Sequence, residues 1–592
     1  MPKITTNIAI IIIFIAATLI MTYPISFEMK THIAGFCNTD EPYGIIWRLW
    51  WFKYSRQHGL NYKDCEVLAF PFGFKLGRPV ASSYLWEGVK NFLSMATNEI
   101  AAYNILILSG FLLTLIFGYL LIFYITSSTP VSIFSAFVFA FCPYHFARAW
   151  QHLSLSQIQW IPLYMLALFK SKDSPKKIIV LLSALAFFLI ASFNLYYAYF
   201  LLIVTACFLI YFTAYYKSVS LGLRLMKRFI VSLIIAGILF APSLFDLYKE
   251  SKVQRDTPVN YSIFQRSFDN LFTQSAKPLS YLLPAISHPI FGKFTERFIG
   301  SPLYGVSYTE HTLYLGWTPL LLAFVAFKRW RKARKMPQCP SAPVSQLSEK
   351  ENFYISFFIV LAIVAWLFSQ PPYFRFPHFK IYMPSFVMYK ILPMFRAYTR
   401  FGIVLMLAVA VLAGYGLRFI LERFKSRKAK IAFTSLVCGL VLFEFLNFPP
   451  FKTIDLTTYP KVYDWLKAQK GDFAVGEYPL DVKGVNEYYK FCQTIHHKKI
   501  INGTSPGTYA NKIAQAIWRL STPPSAQALS WMKVKYVLVH LDAYESSNEA
   551  QVLEELDRIK TRSLPGLTFV KGFDDIDVYE VTATPKKPNI NE

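Results

Sequence analysis

Two carboxylates, Asp40 and Glu41, stand side by side just before Pro42 and the segment YGIIWRLWWFKYS at 43–55. A carboxylate fixed beside a hydroxyl nucleophile can act as its general base. The same residues also suit a helix start, with Thr39 or Asp40 as N-cap, an acid in the first turn and Pro42 near the first position. The two roles are compatible, because a cap rigidifies the base it carries. Downstream, Trp47, Trp50, Trp51 and Tyr54 recur at i, i+3, i+4 and i+7, which stacks them on one helical face. Arg48, Lys53 and Arg56 fall mostly off that face. The pattern predicts a helix lying in a membrane interface with its aromatic rings at headgroup depth.

Other polar residues gather at the ends of apolar runs. Arg396 and Arg400 are four residues apart and are expected on one helical face. A guanidinium fork matches phosphate geometry, although snorkelling to lipid headgroups is an equally simple use for it. Glu310 and His311 open an apolar run, where an ionisable side chain is functional or paired with an arginine. His145, Arg148 and His152 share a short turn, and His152 suits phosphate positioning or proton transfer, or is simply an interfacial polar residue. Tyr196, Tyr197 and Tyr199 read as an aromatic belt, His496-His497 as an exposed pair, and Asn502-Gly503 as a turn. The seven cysteines show no CxxC or CxxH spacing, so they suggest no metal site. Cys37 and Cys65 fall in one loop, as a disulfide or as free thiols.

The elements that must position these residues follow from composition. Hydrophobic residues make up 54% of the 592, and charged residues only 16%. Eleven apolar runs lie near 7–25, 103–125, 131–146, 155–170, 178–193, 195–216, 229–247, 311–327, 352–369, 400–421 and 431–447. Runs of this kind span a bilayer as helix. The reading is therefore an α-helical multi-pass membrane protein of about eleven spans, which excludes a soluble enzyme, a coiled coil and a disordered chain. The net charge of +26 sits largely in short loops, where basic residues set topology, so no nucleic-acid partner is expected. The strongly basic short loops all fall on one side when the N-terminus is inside, giving an N-in, C-out orientation with the first run kept as an anchor.

Three outer segments are then long: 26–102, 248–310 and the tail 448–592. The tail carries charged periodic helices and strand-like runs at 473–478 and 536–540. It is long enough to fold alone as an extracytoplasmic α/β domain, beside a membrane domain at 1–447.

Several segments resemble the GT-C superfamily of membrane glycosyltransferases, in the bacterial branch with an extracytoplasmic C-terminal domain. Thr39-Asp40-Glu41 with the Trp-rich helix resembles the acidic motif of that superfamily's first outer loop. Phe70-Pro71-Phe72-Gly73 resembles a P-x-G further along it, and Ala102-Tyr103-Asn104 the start of the second span. Phe141-Cys142-Pro143-Tyr144-His145, with Gln159-Trp160-Ile161-Pro162-Leu163, resembles the third and fourth spans. Phe395-Arg396-Ala397-Tyr398-Thr399-Arg400-Phe401 resembles an R-x-x-x-R-F stretch before a late span.

The resemblance implies transfer of a sugar, with inversion, from a polyprenyl-phosphate donor to a glycan, lipid or protein acceptor on the outer face of the plasma (inner) membrane. Asp40 matches the proposed base, with Glu41 beside it. Arg396, Arg400, Glu310 and His152 are the expected substrate-binding set. Some relatives hold a divalent cation on a D-x-D pair; the order here is Asp-Glu-Pro. No cofactor is therefore expected to be obligatory, and a divalent cation is left open. The competing readings are a lipid-linked-sugar transporter or flippase and a non-catalytic glycolipid-binding scaffold. A transporter would show paired Gly/Pro-broken spans and polar residues at the bilayer midplane.

Overall fold

The computed structural model describes residues 2–35, 40–75, 83–255, 266–335, 347–447, 452–480, 485–504, 508–547 and 549–588. The apolar runs lie on helices, since only internal hydrogen bonding satisfies a backbone placed in hydrocarbon. Five helical segments among the described residues are long and apolar enough to cross a bilayer: Glu99–Thr126, Leu195–Tyr216, Val219–Asp246, Glu349–Ser369 and Tyr398–Leu421. Thr129–Ala140 and Pro143–Ala149 add a sixth if counted as one span bent by 46°. The bend falls at Pro143, which starts the second helix and has no N–H to continue the first. Asn7–Met21 and Lys177–Phe193 are shorter apolar helices.

The other expected spans meet helices that are short, such as Trp160–Asp173, or that take in basic loops, such as Trp317–Lys335 and Arg427–Glu444. The run at 311–327 is not one helix. A single turn, Tyr308–His311, is followed by irregular backbone to Gly316, whose φ of +83° suits glycine, and the long helix begins at Trp317.

The Tyr398–Leu421 segment is the most enclosed of the spans. Gly416 lies so close to Trp317–Lys335 that a Cβ there would sit 1.9 Å from the Leu322 carbonyl oxygen. Small residues permit this backbone approach inside a membrane.

Four helices and a sheet carry the polar groups of interest. The Trp-rich helix is α1, Asp40–Gln57; α2 is Pro143–Ala149, α3 is Tyr308–His311 and α4 is Asn486–His496. The tail holds a mixed sheet of β1 (Ala474–Tyr478), β2 (Lys499–Ile500), β3 (Val534–His540), β4 (Leu567–Phe573) and β5 (Ile576–Val581), in the order β4-β5-β3-β1-β2. Both strand-like runs of the sequence lie in it, as neighbouring parallel strands β1 and β3. The β1 strand is buried throughout, as expected of a central parallel strand.

Parts of the segment 26–102 and the tail are built together. His32–Gly35 pairs antiparallel with Lys452–Asp455. Residues 67–70 run along the free edge of β2: the Ile500 amide donates to Val67 O at 2.9 Å, and the Phe70 amide donates to Ile500 O at 3.1 Å. The aromatic stripe of α1 therefore meets protein rather than lipid headgroups. Trp47 and Trp51 are buried, and Tyr43 packs between Tyr488 and Phe491 of α4 at 5.3 Å each.

Candidate functional site

The first turn of α1 presents Asp40 and Glu41, with Pro42 in the same turn; Thr39, the alternative cap, lies outside the described residues. The two acids line a cavity of about 390 Å³ together with Gly44, Arg48, Glu487, Lys490 and Gly503. The Glu487 carboxylate lies close against Gly44, so a Cβ at that position would come within 2.4 Å of one of its oxygens and push the side chain aside. Glu487 pairs with Lys490 at 2.5 Å on α4. The tail thus supplies part of the wall around the two acids, and no local pattern in the sequence signals that.

Glu41 is paired across the molecule with His152, whose Nδ1 lies 2.5 Å from Oε2. His152 in turn donates its backbone N–H to Arg148 O at 2.7 Å. Arg148, on α2, is wholly buried and grips Glu310 with both terminal nitrogens, at 3.1 and 2.8 Å. Arg400 donates to Glu310 Oε1, which it shares with Arg148, at 2.7 Å, and the Thr399 hydroxyl donates to Oε2 at 2.7 Å. A chain of contacts therefore runs from the α1 acids to Arg400.

Burial by itself would raise the Glu310 carboxyl, but the Arg148 and Arg400 guanidiniums and their hydrogen bonds hold it well below the usual carboxylate range. Both Glu310 oxygens are occupied by protein donors. Glu310 is thus the paired residue of the two sequence-level readings, and it fixes Arg400 in place.

Arg396 and Arg400 do not share a helical face. Leu392 precedes Pro393, which disfavours helix there, so Arg396 lies in irregular chain and only Tyr398–Phe401 coil, as a 3₁₀ turn. Arg400 stacks over the Tyr196 ring at 4.4 Å, and the Tyr196 hydroxyl accepts from the Arg396 amide at 3.3 Å. The Arg396 side chain is half-buried, and its pKa is lowered first by that burial and next by the nearby Arg266. Among the described residues it makes no ion pair, and it feels the charges of Arg266, Arg400 and Glu310.

Several sequence expectations change. His145 is pinned between Ala140 O and Ser156 O at 2.7 and 2.8 Å, so its two nitrogens are committed to the fold. Tyr197 and Tyr199 pack inward, the first donating to Leu155 O and the second stacked on Phe395, rather than forming a lipid belt. His496 is buried, while Asn502 turns its amide inward to clamp the N–H and C=O of Glu477. Cys65 is a buried free thiol, and Cys37 lies outside the described residues.

Lys90 was not singled out by the sequence. It is buried, donates to Glu87 at 2.8 Å and lies within electrostatic reach of Glu41 and Arg48. A lone lysine on an amphipathic helix gives no such warning. Among the described residues no group of three or more His, Cys, Asp and Glu gathers in a way that could hold a metal ion.

A family model described as a domain of unknown function, DUF6311, matches residues 89–443. The chain belongs to that family. No curated protein matches it in sequence. Among solved structures, the arabinofuranosyltransferase AftD from Mycobacteria superposes with a TM-score of 0.52 at 14% identity, over 98% of this chain and 40% of that one. An oligosaccharyltransferase from Archaeoglobus fulgidus gives a TM-score of 0.48 at 11% identity, over 96% of this chain and 74% of that one. The DUF6311 chain thus spans about 40% of the length of AftD. The similarity to AftD shows that the two chains share a fold.

Proposed function

We propose that this DUF6311 protein is a membrane glycosyltransferase that moves a sugar, with inversion, from a polyprenyl-phosphate donor to an acceptor on the non-cytoplasmic face. One observation carries the reading: Asp40 and Glu41 line a cavity beside cationic side chains, in a chain that shares the fold of AftD. Asp40 is the general base that takes the proton from the acceptor hydroxyl as it attacks the anomeric carbon. Glu41, held by His152, keeps the first turn of α1 oriented. The departing polyprenyl phosphate is met by Arg396 and Arg266, with Arg400 held beside them by Glu310.

The eleven apolar runs are the membrane segments of this enzyme, arranged N-in, C-out in the plasma membrane. Residues 448–592 are its extracytoplasmic domain, which closes the cavity over α1. The base and phosphate roles need no cofactor.

The test uses protein in lipid nanodiscs with a panel of polyprenyl-phosphate sugars and follows release of free polyprenyl phosphate. Removing a general base costs about 10²–10⁴-fold in rate, so release by the wild type should collapse in Asp40→Asn. Equal release from both would dismiss Asp40 as the base. No release from any donor, with or without candidate acceptors, would favour the transporter or the scaffold. Chelation and addition of Mg²⁺ or Mn²⁺ in the same assay decides the divalent cation.

A further inference from the structure

A second cavity, of about 710 Å³, lies at the carboxyl end of the tail sheet and has no part in the chemistry above. Its position follows from the strand order. After β1 the chain passes through α4 to β2 on one side. It then returns across β1, through the helices Tyr509–Ala516 and Pro523–Trp531, to β3 on the other side. After β3 it turns into Leu541–Glu545 and Ala550–Lys560 and moves on to β4 and β5, further from β1. The segments leaving the adjacent parallel strands β1 and β3 therefore diverge to opposite sides. In an open α/β sheet that divergence leaves a crevice outside the carboxyl ends of the strands, which is where such sheets bind ligands.

The lining indicates the ligand class. Leu480 comes from just beyond β1, Tyr544 from just beyond β3, and Gln515 and Trp518 from the crossover, while Glu549 and Gln551 complete the rim. Trp518 is half-buried; the Arg519 guanidinium lies 4.7 Å from its ring, and no aromatic ring stacks on it among the described residues. The Tyr544 side chain is buried, and its hydroxyl has no hydrogen-bond partner among the described residues.

Among the described residues no lysine or arginine lines this cavity, and the lining they form favours a neutral ligand over a phosphorylated one. An indole face, two amides that both donate and accept, one carboxylate and a phenol suit a neutral polyhydroxylated ligand. C–H groups of such a ligand pack on the ring, and its hydroxyls pair with the amides. The volume falls in the range of small-molecule sites.

We propose that this switch-point cavity is a saccharide-binding site that holds the acceptor glycan away from the transfer centre. The acceptor role rests on the glycosyltransferase reading; saccharide binding itself does not.

The full chain in nanodiscs is titrated with neutral tetrasaccharides of glucose, mannose, galactose and arabinose, and binding is followed by saturation-transfer NMR. Saturable binding of at least one is expected. It should weaken by about tenfold or more in Trp518→Ala, the scale of one lost aromatic contact, and recover in part in Trp518→Phe. Gln551→Ala, at an exposed position, should weaken binding without disturbing the fold. Raising the salt concentration should change little, because among the described residues no cation lines the cavity. In the same preparations, acceptor-independent release of polyprenyl phosphate should be equal in wild type and Trp518→Ala.

Absence of saturable binding by every saccharide overturns the site, as does equal binding by wild type, Trp518→Ala and Gln551→Ala. Preferential binding of a nucleotide sugar, competed by salt, also overturns it. Saccharide binding that Trp518→Ala abolishes, in a protein that releases no polyprenyl phosphate, upholds the site and sinks the transferase reading instead.

Discussion

The indole N–H of Trp47 donates to the side-chain oxygen of Gln493 at 2.9 Å, joining residues 446 positions apart in the chain. The same Gln493 donates to Val67 O at 2.7 Å, so one amide ties α1, the segment at 67–70 and the tail helix α4 together. Truncating a buried tryptophan costs about 3–5 kcal/mol, and here it also leaves the Gln493 oxygen unpaired. Trp47→Ala should therefore raise hydrogen exchange selectively in α4 and residues 67–70, while the spans stay protected. Uniform exchange across the chain would show that the tail does not depend on this contact.

Glu310 is the only carboxylate that Arg148 contacts in a salt bridge among the described residues, and it is shared with Arg400. Removing one partner of a buried ion pair costs about 3–5 kcal/mol. Glu310→Gln should lower the unfolding temperature in detergent accordingly, and Glu310→Asp should recover only part of it. The Glu310 carboxyl is held below its usual value, so its contribution to stability is present above about pH 4.3. That contribution is lost only as pH falls through the lower folded value. An unfolding temperature that Glu310→Gln leaves unchanged at pH 7 would rule out this node as a brace.

Arg396 and Arg266 meet a phosphate in the proposed mechanism. Losing one hydrogen bond to a charged group costs about 1.5–3 kcal/mol, roughly ten- to a hundredfold in an equilibrium constant. Arg396→Gln should raise KM for the polyprenyl-phosphate donor by that factor, with a smaller change in kcat if the contact is equal in ground and transition states. A change in acceptor KM alone would move Arg396 out of the donor site.

Burial pushes the Cys65 thiol up to about 11. At pH 8 its thiolate is then scarce and enclosed. Cys65 should resist alkylation by iodoacetamide in the folded protein and react only after unfolding, as read by peptide mass spectrometry. Rapid native labelling would show that the segment around Cys65 opens.

Local patterns made much of this legible. Apolar length gave the helices, because hydrocarbon leaves the backbone no other partner. Asp40, Glu41 and Pro42 begin a helix as their types suggest. The runs at 473–478 and 536–540 are strands because continuous apolar sequence suits a sheet buried on both faces. The tryptophan stripe misled on one point. Periodicity identifies an apolar face, but lipid and protein cover such a face equally well, and only the arrival of α4 decides between them.

The sequence by itself determined the helices, the strand segments and the neighbouring acids at the head of α1, since each depends on residues within a few turns of one another. Tertiary structure alone decided how the charges are used. Glu310 meets Arg148 and Arg400 from 162 and 90 residues away, and Glu41 meets His152 from 111 residues away. The cavity over α1 needs α4, and the switch-point cavity exists only because the chain crosses β1 between β2 and β3. Electrostatic pairing and cavity shape depend on distances in space, and periodicity carries no information about those.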